Sequence, residues 1–156
     1  EEREGSVLIF VKTKIGADKV VKKLKAKSIK ANSLHGGMRQ NKRSKIMQNF
    51  RDEKFRILVA TDIASRGLDV PHIEHIINYD MPQASEDFIH RIGRTARAGS
   101  VGEAVSFLTP KDSRIWKSIE RLLDKKDSKN NLRDIKNKSS KFIKKKRNRT
   151  RKKVKR

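Results

Sequence analysis

A chain of 156 residues with a formal net charge of +23 has room for one domain, and that charge makes a polyanion its natural partner, nucleic acid first. It has no cysteine, which excludes a disulfide framework and a thiolate metal site and fits a reducing compartment, the cytoplasm being the expected one. No run approaches the roughly 18 uninterrupted apolar residues that span a bilayer, so no membrane association is expected.

The chain opens on EEREGSVLIF, without an initiator Met and without the basic region and long apolar core of a secretory signal. Because it leads almost at once into a buried-type strand, a piece of a longer protein is expected. Residues 7–11 (VLIFV) form a short, continuous apolar run, and similar runs return at 57–60 (ILVA), 75–78 (HIIN) and 104–108 (AVSFL). Strands covered on both faces read this way, and a further strand is expected just before His35.

Between these runs the spacing becomes helical. Residues 16–27 set Val20, Val21 and Leu24 on one face, and residues 40–51 do the same with Ile46, Met47 and Phe50. Ser85 and Glu86 can open a helix through Ile89 and Ile92, and residues 114–124 space Ile115, Ile119, Leu122 and Leu123 as a last helix. Alternating strand and helix predicts an α/β fold with a parallel β-sheet flanked by helices, whose ligand-binding loops gather at the carboxyl ends of the strands.

Charge divides the chain into a domain over residues 1–126 and a basic tail over 127–156. Residues 1–110 carry 20 Lys/Arg against 13 Asp/Glu, while residues 111–156 carry 21 against 5. The last sixteen residues hold eleven Lys/Arg and no acid, a self-repelling composition that predicts disorder in the free state. Phe142 is the only aromatic in that stretch, so the tail should bind by charge and not by stacking on bases.

Three polar segments could carry chemistry. In residues 90–99 (HRIGRTARAG), Arg94 and Arg97 lie three apart and on a helix would share a face, so two guanidiniums could converge on one anion. Arginine suits phosphate because its charge persists and its planar fork donates two parallel hydrogen bonds. The plainer reading is a solvated basic helix end.

In residues 60–69 (ATDIASRGLD), a hydroxyl, small residues and carboxylates stand where a strand should end. Asp69 can accept from a ribose hydroxyl, and Thr61 and the Gly67 backbone can donate to phosphates. Alternatively Thr61 or Asp62 caps the next short helix and Asp69 begins a turn. The third segment, residues 35–43 (HGGMRQNKR), offers glycine N–H groups at a helix start, with Gln40 and Arg43 one turn apart; as a plain loop it would need none of this. Thr13, following the first strand, is equally ambiguous.

In order, VLIFVKTK, HGGMRQNKR, ILVATDIASRGLD, INYDMP and HRIGRTARAG resemble the motif series of the C-terminal RecA-like domain of DEAD-box helicases, over about residues 5–122. Bacterial members look most similar, and Ala96 departs from the glycine that the family most often has there.

The resemblance implies a RecA-like fold and a set of roles. Arg94 and Arg97 would be arginine fingers reaching the γ-phosphate of ATP held by an N-terminal RecA-like domain, which would also hold Mg²⁺. Asp69 would contact the ATP ribose, with Gly67 beside the nucleotide, and His90 would sit at the interdomain interface. Thr13, Gly37, Arg43, Thr61 and Gly67 would hold the backbone of single-stranded RNA, with Gln40 and Arg66 in support; no metal ligand is expected in this chain.

Neither a Gly-x-x-x-x-Gly-Lys phosphate loop nor a DEAD tetrad occurs in these residues, so the chain is expected to be inactive as an ATPase alone. The function expected is the second half of an ATP-dependent RNA helicase. The alternatives are a non-catalytic RNA-binding or annealing module and a DNA-directed helicase of the same superfamily.

Overall fold

The computed structural model describes residues 5–65, 73–95 and 102–127. They form strands β1 (Ser6–Phe10), β2 (Ala31–Leu34), β3 (Ile57–Ala60), β4 (Ile73–Asn78) and β5 (Glu103–Ser106). The helices are α1 (Lys14–Lys25), α2 (Gln40–Arg51), α3 (Asp62–Ser65), α4 (Ser85–Ile92) and α5 (Ser113–Asp127), with a single 3₁₀ turn at Pro110–Asp112. The expected basic tail lies outside the described residues from residue 128 onward, while Asp127 closes α5. Among those described, no helix is long and apolar enough to cross a membrane, and no acidic or histidine cluster could hold a metal ion.

The sheet is wholly parallel, in the order β2-β3-β1-β4-β5. β1 lies at its centre, in register with β3 from Val7 opposite Ile57 to Phe10 opposite Ala60, and with β4 from Val7 opposite His75 to Phe10 opposite Asn78. Its five residues are all buried because successive side chains enter opposite layers. Leu8 and Phe10 pack with Ile46 and Phe50 of α2 and Ala64 of α3, whereas Val7 and Ile9 pack with Ala17 and Val21 of α1. Val20 and Leu24 add to the α1 layer and Met47 to the α2 layer, as the helical spacing predicts.

A third cluster joins α4 to α5 through Phe88 and Ile119, with the Phe88 and Trp116 rings edge to face at 6.0 Å. Element ends differ from expectation by one to three residues. β4 starts at Ile73 and β5 stops at Ser106, where the Phe107 N–H still reaches Asn78 O before the chain turns at Thr109.

Candidate functional site

The carboxyl ends of the strands carry Thr13, His35 to Gly37, and Thr61. Thr13 is the N-cap of α1: its hydroxyl accepts from the Gly16 N–H at 2.9 Å, satisfying one of the donors that every helix start leaves open. Thr61 supports α3 through its backbone carbonyl, which accepts from the Ala64 and Ser65 N–H groups.

Residues 36 and 37 are exposed, and nothing lies within 4 Å of where a Cβ on Gly36 would stand. Gln40 opens α2, whose N-cap Arg39 makes no side-chain cap, and the Arg43 Nη1 donates to Gln40 Oε1 at 3.3 Å. Thr13, Gly37, Gln40, Arg43 and Thr61 therefore stand in loops or first turns that leave the same edge of the sheet.

Arg91 is the organising residue; it stands inside the HRIGRTARAG segment, but the sequence alone assigns it no role. Its side chain is 2% exposed. Nε and Nη2 donate to the two Asp62 oxygens at 2.7 Å each, and Nη1 donates to Asn78 Oδ1 at 3.1 Å and to Asp80 O at 2.7 Å. The guanidinium carbon stands 4.8 Å from the centre of the Phe10 ring. A cation can be buried this deeply because the fork finds a carboxylate in register and its other donors find carbonyl oxygens.

One side chain thus ties α4 to β1, α3 and the end of β4. The lattice extends further: Asp80 Oδ2 accepts from the Lys12 N–H at 2.9 Å, and Asn78 Nδ2 donates to Ser106 Oγ at 3.0 Å. Besides its place in HRIGRTARAG, the signal for Arg91 in the sequence is positional, since it follows Phe88 by three residues and shares its buried stripe.

Arg94 does not lie on a helix, which corrects the expected shared face with Arg97. α4 ends at Ile92, Gly93 caps it, and Arg94 follows in a turn whose N–H donates to Arg91 O at 3.0 Å. α4 runs antiparallel to the strands, and the Thr95 hydroxyl fastens the chain to Ile73 O at 2.6 Å, at the amino end of β4.

Arg94 instead lines a cleft of about 240 Å³ with Phe10, Asp62, Ser65, Asp87, His90 and Arg91. His90 Nδ1 stands 3.9 Å from Asp87 Oδ1, and the His90 side chain is 70% exposed. The volume is smaller than the roughly 300 to 1,000 Å³ that encloses a whole small ligand, but it admits a phosphate group, and Arg94 supplies a cation that suits one. Arg66, Gly67, Asp69 and Arg97 lie outside the described residues.

Residues 1–99 match the family described as helicase conserved C-terminal domain. A solved structure entitled "Structure of the C-terminal domain of the DEAD-box protein Dbp5" superposes with a TM-score of 0.73 at 32% identity, covering 78% of this chain and 72% of that one. The chain belongs to the DEAD-box helicase C-terminal domain family.

As a DEAD-box C-terminal domain it resembles, among others, the ATP-dependent RNA helicase DBP8 of Vanderwaltozyma polyspora, at 44% identity over 124 residues. That match covers 80% of this chain but 29% of the relative, so the chain spans less than a third of the protein it resembles. Saccharomyces cerevisiae Dbp5 bound to RNA and ADP BeF3 matches at 35% identity with a TM-score of 0.70, over 75% of this chain and 32% of that one. DBP8, DBP2 and vasa, among the relatives it resembles, are eukaryotic proteins, so the expected bacterial likeness is not supported.

Proposed function

We propose that this domain works as the second RecA-like half of an ATP-dependent RNA helicase, unwinding short RNA duplexes together with an N-terminal RecA-like domain. The observation that carries this reading is Arg94 beside a phosphate-sized cleft, on a turn whose preceding helix is locked to the sheet by Arg91. An arginine finger must meet charge spreading over the phosphoryl oxygens without reorganising, and a turn held at both ends suits that task.

ATP would be shared between the two domains, with Arg94 and Arg97 approaching its γ-phosphate and Asp69 its ribose. Mg²⁺ would be held by the N-terminal domain. RNA would cross the loops bearing Thr13, Gly37, Gln40, Arg43 and Thr61, with Arg66 and Gly67 beside them, and His90 would face the partner domain. Contacts of that kind read phosphate and sugar, so little sequence preference is expected.

The test is complementation. A separately made N-terminal helicase domain is mixed with this chain, and RNA-stimulated ATP hydrolysis is expected to rise well above that of either part. Background hydrolysis with the partner in excess would overturn the enzyme reading and favour an RNA-binding or annealing module.

A further inference from the structure

His35, at the carboxyl end of β2, carries chemistry that the proposed function does not use. It is 7% exposed, and its Nε2 stands 3.2 Å from Asp18 Oδ1, an oxygen that also accepts from Ser33 Oγ at 2.7 Å. An ionised carboxylate has no proton to give, so Nε2 must carry the hydrogen of that contact. While the ring is neutral, Nδ1 is then its bare nitrogen. It is buried and has no partner among the described residues.

This nitrogen lies under the loop proposed to carry RNA. A Cβ added at Gly37 would stand 3.3 Å from Nδ1 and 3.4 Å from Lys14 Cδ, so the ring and the lysine stem flank that glycine directly. Arg43 Nε, in the first turn of α2 beyond the same loop, is likewise buried with no partner among the described residues. Two orphaned polar atoms therefore border one short, exposed loop at an uncapped helix start. A buried polar atom left alone costs free energy, and a group that completes it recovers that cost.

RNA brings phosphate oxygens, which only accept. A neutral Nδ1 cannot donate to them, whereas a protonated one can, with Asp18 already in place as counter-ion. We propose that His35 is a positioning residue for the RNA-backbone loop and that it takes up a proton when a phosphodiester settles on Gly36 and Gly37. The proposal rests on the RNA reading of that loop. RNA binding by this chain would then be tighter in mildly acidic solution than in alkaline solution, with a proton gained per bound strand.

The charges around the ring pull in opposite directions, the cations against an imidazolium and the carboxylate for it. From α1 come the Asp18 carboxylate and Lys14; from β2 only the neutral Ser33; from α2 come Arg43 and Lys42, the latter acting on Asp18 through its charge. β3 contributes the apolar residues Ile57–Ala60. Asp18 is therefore the one anion at the ring among the described residues, and an imidazolium there would form an ion pair buried on one side.

The experiment uses the whole chain with a single-stranded uridine oligonucleotide, by titration calorimetry in two buffers of different ionisation enthalpy between about pH 6 and 8. Lysine and arginine do not change charge in that window, so the tail adds affinity without proton uptake. Uptake of protons by the wild type, lost in His35→Asn together with about tenfold of the affinity at the acidic end, is the expected result.

Proton uptake that persists unchanged in His35→Asn would overturn the proposal. Because that variant could destabilise the fold, imidazole ¹⁵N spectra of the wild type supply a second reading. The His35 Nδ1 signal must move to the protonated position on RNA addition, and a neutral signal at saturation would also overturn it. Gln40→Ala combined with Arg43→Ala separates the two levels. If that pair leaves affinity unchanged, the loop is not the RNA site; if it weakens binding while His35 stays silent, only the proton-linked role fails.

Discussion

Arg91 and Asp62 meet fork to fork: two parallel hydrogen bonds of 2.7 Å join a guanidinium on α4 to a carboxylate at the start of α3, 29 residues earlier in the chain. Removing the carboxylate would leave a cation at 2% exposure with only carbonyl partners. Asp62→Ala should therefore lower the unfolding free energy by about 3 kcal/mol, the low end for a broken buried pair because Asp62 itself is 30% exposed. Urea denaturation followed by circular dichroism measures it. Arg91→Lys should also destabilise, since an ammonium cannot span both oxygens and Asn78 together.

Thr13 should report two roles separately. Thr13→Ala removes the bond to the Gly16 N–H and should cost about 1 kcal/mol in stability, whereas Thr13→Ser should restore most of it. If Thr13 also holds RNA, the alanine variant will lose RNA affinity under conditions where it remains fully folded, and an unchanged Kd would confine it to capping.

Acid should act through Asp18. The Ser33 hydroxyl, with help from His35 and Lys42, holds the Asp18 carboxyl below its ordinary value of 3.8 against the opposing effect of burial. A lowered folded value means that the contribution to stability is complete above 3.8 and fades as the pH falls through the folded value. Ser33→Ala should move the onset of acid unfolding to higher pH. An unmoved onset in a circular dichroism titration would show that the bond contributes nothing in solution.

The basic tail predicts a salt effect. Deleting residues 127–156 should weaken RNA binding and flatten the dependence of log affinity on log salt, by up to about 0.7 for each phosphate that the tail neutralises in the intact chain. Cooperative unfolding should persist, because the three hydrophobic clusters are built from residues that precede the deletion.

Arginine fingers act on turnover. In the two-domain enzyme, Arg94→Ala or Arg97→Ala should reduce ATP hydrolysis by about 10³-fold or more while changing RNA affinity little. An equal loss of both would assign these residues to RNA binding instead.

The layers of this fold are legible in the sequence because parallel strands covered on both sides leave unbroken apolar runs. β3 and α2 fall where their patterns place them, and so does the apolar face of α1. The lattice around Arg91 is not legible in the same way. Local spacing can place Arg91 beside Phe88, but its partners come from Phe10, Asp62, Asn78 and Asp80, which only the sheet order brings together. Arg94 departs from its expected helical setting for a local reason: α4 ends at Ile92 and Gly93 caps it, which leaves Arg94 two residues beyond the helix.

Arg91 also bears on the order in which the chain assembles. Its guanidinium gains nothing from leaving water until β1, β3 and β4 lie side by side, because its partners hang from the ends of those strands. Its desolvation therefore belongs after the main folding barrier. Substitutions there should speed unfolding while leaving the folding rate nearly untouched. The same lateness makes the cleft a checkpoint, since Arg94 reaches its place only in a molecule whose central sheet has already closed.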